Sequence, residues 1–146
     1  MPEPSLAEQI IAEHTLTIER FRESCLSTVE ELADRTIEAL RAGHKICFFG
    51  NGGSAADSQH LAAEFVVRFT RNRRGLPSIA LTTDTSILTA SANDYGFESV
   101  FARQVEALCT PGDLVVGIST SGSSGNVIAG LQRAQDLGIT TVAFTG

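Results

Sequence analysis

Residues 46–65, "ICFFGNGGSAADSQHLAAEF", decide the fold. Four apolar residues suit a buried strand, the glycine-rich "GNGGS" follows, and an amphipathic helical pattern comes next. In parallel α/β proteins such a loop brings the backbone close to a ligand, and the free N–H groups at the helix start attract anions. We therefore expect the loop with Asn51, Gly52 and Gly53 to bind a phosphate or a sugar hydroxyl.

Three more short apolar runs follow the first one: "SIAL", "LVVGI" and "TVAF". The segments between them have helical patterns over about 54–69, 85–92, 98–108 and 124–137, with boundaries good to ~2–4 residues. Apolar runs that alternate with helices are typical of parallel strands with crossover helices. The sequence therefore predicts an α/β fold, a three-layer sandwich around a parallel sheet.

The N-terminal part of the chain predicts a helical extension. Apolar spacing over residues 5–42 indicates two helices, and Ser5 with Glu8 and Ser27 with Glu30 match the capping-box spacing. We expect one domain over 1–146, with helices in 1–43 and an α/β core in 44–146. The last apolar run stops at Gly146, where a further crossover is usual, so we expect the chain to be truncated there.

Composition narrows the classes of partner. Hydrophobic residues make up 42% of the chain, and 17 acids against 11 bases give a net charge of −6, which disfavours nucleic acid and anionic membranes. Three widely spaced cysteines suggest neither a disulfide framework nor a thiolate zinc site. With no signal-peptide pattern and no long apolar stretch, we expect a cytoplasmic protein that binds a small molecule.

A second loop, "STSGSSGN" at 119–126, follows the third apolar run and precedes a helix. Capping that helix needs one hydroxyl, from Ser123 or Ser124, so the hydroxyls of Ser119, Thr120 and Ser121 are surplus. A phosphate monoester has acceptor oxygens for several O–H and N–H donors. The loop therefore favours phosphate binding over capping alone.

A dinucleotide site is the rival interpretation of the first loop, because Gly50, Gly52 and Ala55 satisfy the spacing G-x-G-x-x-A. The acidic residue expected ~20 positions later is missing, and the basic segment "RFTRNRRG" stands there instead. The sequence thus disfavours a nucleotide-binding oxidoreductase.

His60, Glu64 and Arg68 are four residues apart, so a helix through residue 69 would place them on one face, with Phe65 and Phe69 beside them toward the core. They could be a simple surface stripe in which Glu64 pairs with Arg68. Because the helix starts at the first loop, they could equally line the same cleft. Imidazole and carboxylate are ordinary zinc ligands, but two ligands make only half a site.

Taken together, "FGNGGSAADSQHLAAEF", "SANDYGFESVFARQVEAL" and "GDLVVGISTSGSSGNVI" closely resemble the sedoheptulose 7-phosphate isomerase (phosphoheptose isomerase) family of the sugar isomerase (SIS) superfamily. The resemblance implies an SIS-type, flavodoxin- or Rossmann-like fold. It implies an aldose–ketose isomerase that forms D-glycero-D-manno-heptose 7-phosphate through an enediolate. The product would serve lipopolysaccharide and other heptose-containing cell-surface polysaccharides.

The resemblance also implies the roles of individual residues. Glu64 would be the catalytic proton carrier, and His60 and Glu64 would bind one zinc ion. Ser54 and Asp57 match the motif but rank lower. Substrate contacts would come from Asn51, Gly52, Gly53, Glu64, Arg68, Asn93 and Asp94, and phosphate contacts from Ser119, Thr120, Ser121 and Ser124.

Two features of the family extend beyond these residues. A C-terminal helix supplies a glutamine and a histidine that complete the zinc site, and no residue of this chain takes those roles. Family members are homotetramers with active sites at subunit interfaces.

The alternative function is a non-catalytic sugar-phosphate-binding SIS module that associates with the replication initiator DnaA. The relative with that role lacks a glutamate at the position of Glu64. The presence of Glu64 favours the enzyme.

Overall fold

Four strands form one parallel sheet in the computed structural model, which describes residues 4–146. They are β1 (Ile46–Gly50), β2 (Ser78–Ala80), β3 (Leu114–Ser119) and β4 (Thr140–Thr145), in the spatial order β2-β1-β3-β4. In the register, Ile46 lies opposite both Ser78 and Leu114. The four apolar runs and their parallel pairing are confirmed.

Five α-helices accompany the strands in residues 4–146: α1 (Leu6–Arg41), α2 (Gly53–Val66), α3 (Thr85–Tyr95), α4 (Val100–Leu108) and α5 (Gly125–Asp136). A short 3-10 helix, Phe97–Ser99, precedes α4. Right-handed crossovers place α2 on one face of the sheet and α4 and α5 on the other. Accordingly, α2 packs on β1 and β2, while α5 packs on β3, β4 and α4. The predicted three-layer α/β fold is confirmed.

The N-terminal segment forms one helix, so the prediction of two helices was wrong. The capping box at its start is confirmed: the Ser5 N–H donates to Glu8 Oε2 at 2.7 Å, and the Glu8 N–H donates to Ser5 Oγ at 3.3 Å. Ser27 instead lies within α1. No glycine or proline occurs from residue 6 to 41, so nothing interrupts the backbone hydrogen bonds there.

The chain divides into two compact units, the first ending at Ile37 and the second being Glu38–Gly146. Within the described part of the chain, no helix combines the length and apolar character needed to cross a membrane.

Alternation along β1 distributes its side chains between the two faces of the sheet. Phe49 stacks on Phe101 of α4 with 4.9 Å between ring centroids, whereas Phe48 stacks on Phe65 of α2 at 6.1 Å. The larger core cluster lies on the α4 and α5 side, where Val100, Val105, Val115, Val127, Ala134 and Ile139 are buried. Both middle strands are therefore covered on both faces, which fixes the positions of the loops that follow them.

Two cysteines belong to this core. The Sγ atoms of Cys47 and Cys109 lie 3.4 Å apart as free thiols, and both residues are buried. The hydrogen bond with Cys109, together with burial, raises the pKa of the Cys47 thiol. The two thiols therefore belong to the buried core on this side of the sheet.

At the opposite end of the strands from the two loops, Asp113 joins the start of β1 to the turn before β3. Its buried carboxylate accepts hydrogen bonds from the Lys45 N–H (3.0 Å), the Lys45 ammonium (2.5 Å) and the Thr110 N–H (2.8 Å). Burial alone would raise the pKa of Asp113, but the hydrogen bonds and charge of Lys45 and the Thr110 N–H outweigh it and lower that pKa. The ionised form is thus the stabilising one.

Asp113→Asn is expected to lower the free energy of unfolding at pH 7 by ~1–3 kcal/mol, because the amide keeps the shape but loses the charge that satisfies these donors. A carboxylate with a lowered folded-state pKa stabilises above its unfolded pKa of ~3.9 and stops stabilising as the pH falls through its folded pKa. Urea unfolding should therefore show a gap between wild type and variant that narrows below about pH 4. A gap independent of pH would contradict an ionised clamp.

Candidate active site

The strand order reverses between β1 and β3. From β1 the chain moves to β2 on one side, and from β3 it moves to β4 on the other, so the carboxyl ends of β1 and β3 diverge into a crevice. Open parallel sheets bind ligands at such switch points. The two loops predicted from the sequence are the loops that border this crevice, residues 51–52 after β1 and residues 120–124 after β3.

The first loop is shaped by glycines with different roles. A Cβ on Gly50 would lie 2.7 Å from both the Ile118 carbonyl oxygen and Ser54 Cβ, so only glycine fits between β3 and α2. Gly52 has φ of 55°, in the left-handed region, and occupies the N-cap of α2 without a side chain. A Cβ on Gly52 or Gly53 would meet nothing within 4 Å. The backbone here faces open space that a ligand can enter.

The second loop holds its hydroxyls in a hydrogen-bonded arrangement. Ser119 Oγ donates to Ser124 Oγ at 3.0 Å, and Ser121 Oγ accepts from the N–H of Ser123 at 3.2 Å and from its Oγ at 3.0 Å. Ser124 is the N-cap residue of α5, yet its side chain makes no capping hydrogen bond. Neither the Ser123 nor the Ser124 hydroxyl caps α5. The hydroxyls of this loop therefore lie at the start of α5, where the helix dipole favours a bound anion.

A reciprocal amide pair connects the two loops. Asn51 Nδ2 donates to Asn126 Oδ1 at 2.8 Å, and Asn126 Nδ2 donates to Asn51 Oδ1 at 2.9 Å. Asn126 is buried in the first turn of α5. Sequence reasoning missed Asn126, because its partner lies 75 residues away and no local pattern signals the pair.

On α2, His60 and Glu64 lie together as predicted, with His60 Nε2 3.5 Å from Glu64 Oε1. The His60 side chain is 75% exposed and that of Glu64 only 29%. Glu64 Oε2 is buried and has no hydrogen-bond partner in the described chain. A buried carboxylate oxygen normally has a partner, so this oxygen lacks a partner that a proton or a metal ion could supply.

Arg68 lies beyond the end of α2, so the prediction that it shares a helix face with His60 and Glu64 was wrong. The helix α2 ends at Val66 with Val67 as its C-cap, and Phe69 is 73% exposed rather than turned to the core. The guanidinium of Arg73 accounts for this end, because it donates to the carbonyl oxygens of Glu64 and Phe65. Those carbonyls would otherwise accept from the N–H groups of residues 68 and 69 in a longer helix.

The predicted pair Asn93 and Asp94 occupies the last turn of α3, where both are exposed and Asn93 Nδ2 donates to Asp94 Oδ1 at 2.8 Å. The segment after them reaches the second loop. The carboxylate of Glu98, in the 3-10 helix, lies so close to Gly125 that a Cβ there would collide with it. The structure thus brings this third segment to the start of α5.

The donor set of a metal site is half present. His60 and Glu64 offer a nitrogen and an oxygen, and the orphaned Glu64 Oε2 suits a ligand atom. No group of three or more His, Cys, Asp or Glu residues that could bind a metal occurs in residues 4–146. The residues present therefore fit zinc as two of its ligands and need others to complete the coordination.

Comparison with known proteins gives a consistent result. The SIS domain family model matches residues 9–146. The phosphoheptose isomerase of Aquifex aeolicus is 61% identical over 136 residues, 86% of this chain and 71% of its own. That of Roseiflexus is 55% identical over 99% of this chain and 75% of its own.

Solved structures agree with these relatives. Phosphoheptose isomerase GmhA from Neisseria gonorrhoeae superimposes with a TM-score of 0.84 at 41% identity, covering 97% of this chain and 76% of that one. A phosphoheptose isomerase from Francisella tularensis gives the same TM-score of 0.84 at 32% identity, covering 98% and 76%. With the two loops, the amide pair and the His60–Glu64 pair at the sheet's switch point, the chain belongs to the phosphoheptose isomerase family of SIS-domain proteins.

Proposed function

We propose that this protein is an aldose–ketose isomerase that interconverts sedoheptulose 7-phosphate and D-glycero-D-manno-heptose 7-phosphate. The observation that carries the proposal is Glu64, a half-buried carboxylate whose inner oxygen has no partner, on the helix that begins at the crevice. Such an oxygen is available to accept a proton from a bound substrate. Membership of the phosphoheptose isomerase family supports the choice of substrate.

The reaction needs one carboxylate that can both take up and release a proton. Glu64 removes a proton from C1 of the ketose and returns it to C2, while the hydroxyl proton at O1 passes to O2. An enediolate lies between these steps, and no oxidant or leaving group is required. General bases of this kind contribute ~10²–10⁴-fold to the rate.

The phosphate is assigned to the second loop. Ser119, Thr120, Ser121 and Ser124 lie at or just before the start of α5, where the helix dipole attracts negative charge. Hydroxyls can rotate to donate to phosphate oxygens. The first loop, with Asn51, Gly52 and Gly53, then contacts the sugar hydroxyls, and Arg68, Asn93 and Asp94 are further substrate contacts by family resemblance.

Zinc is proposed as the cofactor, with His60 and Glu64 as two of its ligands. When bound, zinc supplies a positive charge that favours a negatively charged oxygen nearby. A carboxylate that binds zinc loses basicity, so any test of Glu64 as a base must hold the metal content constant.

The alternative, a non-catalytic DnaA-associating module, is not favoured. A non-catalytic module does not need a carboxylate at position 64. The relatives at 61% and 55% identity are phosphoheptose isomerases.

We further propose that the protein assembles as a homotetramer in the cytoplasm and supplies heptose for lipopolysaccharide. Support for self-association comes from α1, where large apolar side chains are exposed, among them Ile10 (56%), Ile11 (66%), Ile18 (54%) and Phe21 (49%). Large apolar side chains exposed along one helix are typical of a surface that contacts another protein chain.

Glu64→Gln in the natural gene product is expected to lower turnover by at least ~10²–10⁴-fold, because the amide keeps the size but cannot accept the proton. Affinity for sedoheptulose 7-phosphate should change little. The measurement is a steady-state assay on samples matched for zinc by metal analysis. Wild-type turnover in a zinc-matched variant would sink the proposed mechanism.

Ser121→Ala should behave differently. The loss of a phosphate donor weakens the ground state and the transition state together, so KM should rise while kcat stays near its original value. Calorimetry should show weaker binding of sedoheptulose 7-phosphate and no binding of NAD to either protein. Tight NAD binding without sugar-phosphate binding would instead support a dinucleotide site.

Phe21→Asp is expected to weaken self-association, because a charge would be buried at an interface built from the apolar side of α1. Sedimentation velocity should show a tetramer for the unsubstituted protein and smaller species for the variant. A monomeric unsubstituted protein would contradict the proposed assembly.

A further inference from the structure

The segment after α2 folds back onto the end of that helix. Arg73 Nη2 donates to the Glu64 carbonyl at 2.7 Å, and Nη1 donates to the carbonyls of Phe65 at 2.8 Å and Arg74 at 2.9 Å. Arg73 is half-buried, whereas Arg74 is exposed. One guanidinium thus holds two consecutive carbonyls of the last turn of α2.

Two further contacts hold the same helix end. The Leu76 N–H donates to the Phe65 carbonyl at 3.0 Å, and a Cβ on Gly75 would lie 2.8 Å from the Val66 carbonyl oxygen. Residues 73–76 therefore lie directly against the last turn of α2, independently of the arginine side chain.

The energetic reason is the state of a helix C-terminus. Its last four carbonyls have no partner within the helix, and they form the negative end of the helix dipole. A guanidinium can pair the free carbonyls, because it donates several hydrogen bonds in one plane. Its permanent positive charge also interacts favourably with the negative end of the helix dipole. Hydrogen bonds that involve a charged group are stronger than those between two neutral groups.

The position of this cap matters because Glu64 lies in the turn that it holds. The Glu64 backbone carbonyl is bonded to Arg73, while the Glu64 side chain places one oxygen 3.5 Å from His60 and leaves the other without a partner. If the last turn frayed, the Cα of Glu64 and with it the carboxylate would move. A displacement of ~1 Å at a reacting group can cost ~10²-fold in rate.

We propose that Arg73 is a positioning residue for the isomerase reaction, which fixes the Glu64 carboxylate by capping the last turn of α2. The proposal rests on the proposed function, in which Glu64 transfers the proton. Arg73 acts through the helix backbone and need not contact the substrate.

The test compares Arg73→Ala and Arg73→Lys with Arg74→Ala, a matched loss of a neighbouring exposed arginine, in the natural gene product. Two amides report the helix end directly: the Val67 N–H, which bonds the Ala63 carbonyl, and the Leu76 N–H, which bonds the Phe65 carbonyl. Their hydrogen exchange in Arg73→Ala should be faster by at least ~10-fold, and unchanged in Arg74→Ala. Lysine can bond one carbonyl and should restore part of the protection.

Steady-state kinetics then show whether Arg73 positions the Glu64 carboxylate or only caps the helix. For Arg73→Ala, kcat should fall by ~10–100-fold with KM nearly constant, as is found when a residue that supports a ligand or catalytic group is lost. Arg73→Lys should recover part of kcat, and Arg74→Ala should retain all of it.

The outcomes distinguish the two proposals. If the two amides of Arg73→Ala exchange faster while kcat is unchanged, the positioning role of Arg73 is overturned. The same holds if these amides exchange no faster than in Arg74→Ala. Absence of turnover in the unsubstituted protein would overturn the proposed function instead. In that case the role assigned to Arg73 in the isomerase reaction falls with it, while the exchange data still decide whether Arg73 caps the helix.

Discussion

The amide pair between Asn51 and Asn126 is the interaction on which the arrangement of the site depends. Parallel strands diverge at the switch point, and the two loops there belong to segments 75 residues apart in sequence. Two complementary hydrogen bonds between buried or half-buried amides give that crevice a defined width. In the proposed function, this fixed width lets one loop bind the phosphate while the other contacts the sugar attached to it.

The helix α2 is held at both ends, and this arrangement suits a catalytic carboxylate. At its start, Gly50 permits contact with β3, and the Asn51 carbonyl accepts from the Ser54 N–H. At its end, Arg73 takes the carbonyls of the last turn. Groups placed on a rigid element with supporting hydrogen bonds lose less precision to thermal motion than groups on loops. Glu64 has such support, whereas Arg68, beyond the C-cap, does not.

Local patterns predicted the strands, their parallel pairing, both loops and the pairing of His60 with Glu64, because these depend on periodicity and on glycine chemistry that the sequence displays directly. They did not predict the end of α2, which depends on Arg73 folding back from beyond the helix. The expected break at Ser27 failed for the opposite reason: a capping-box spacing was present, but good helix formers on both sides continued the hydrogen-bond ladder. The role of Asn126 could not be predicted, because it depends on a tertiary contact with Asn51.

The three cysteines differ in burial, so their reactivity toward a thiol reagent depends on whether the protein is folded. Cys25 on α1 is partly accessible, whereas Cys47 and Cys109 are enclosed in the core. In the native protein a thiol reagent can reach Cys25, whereas Cys47 and Cys109 are out of its reach. Labelling of Cys47 or Cys109 requires β1 to separate from the end of α4. A mass increase beyond one label therefore reports that this part of the core has opened.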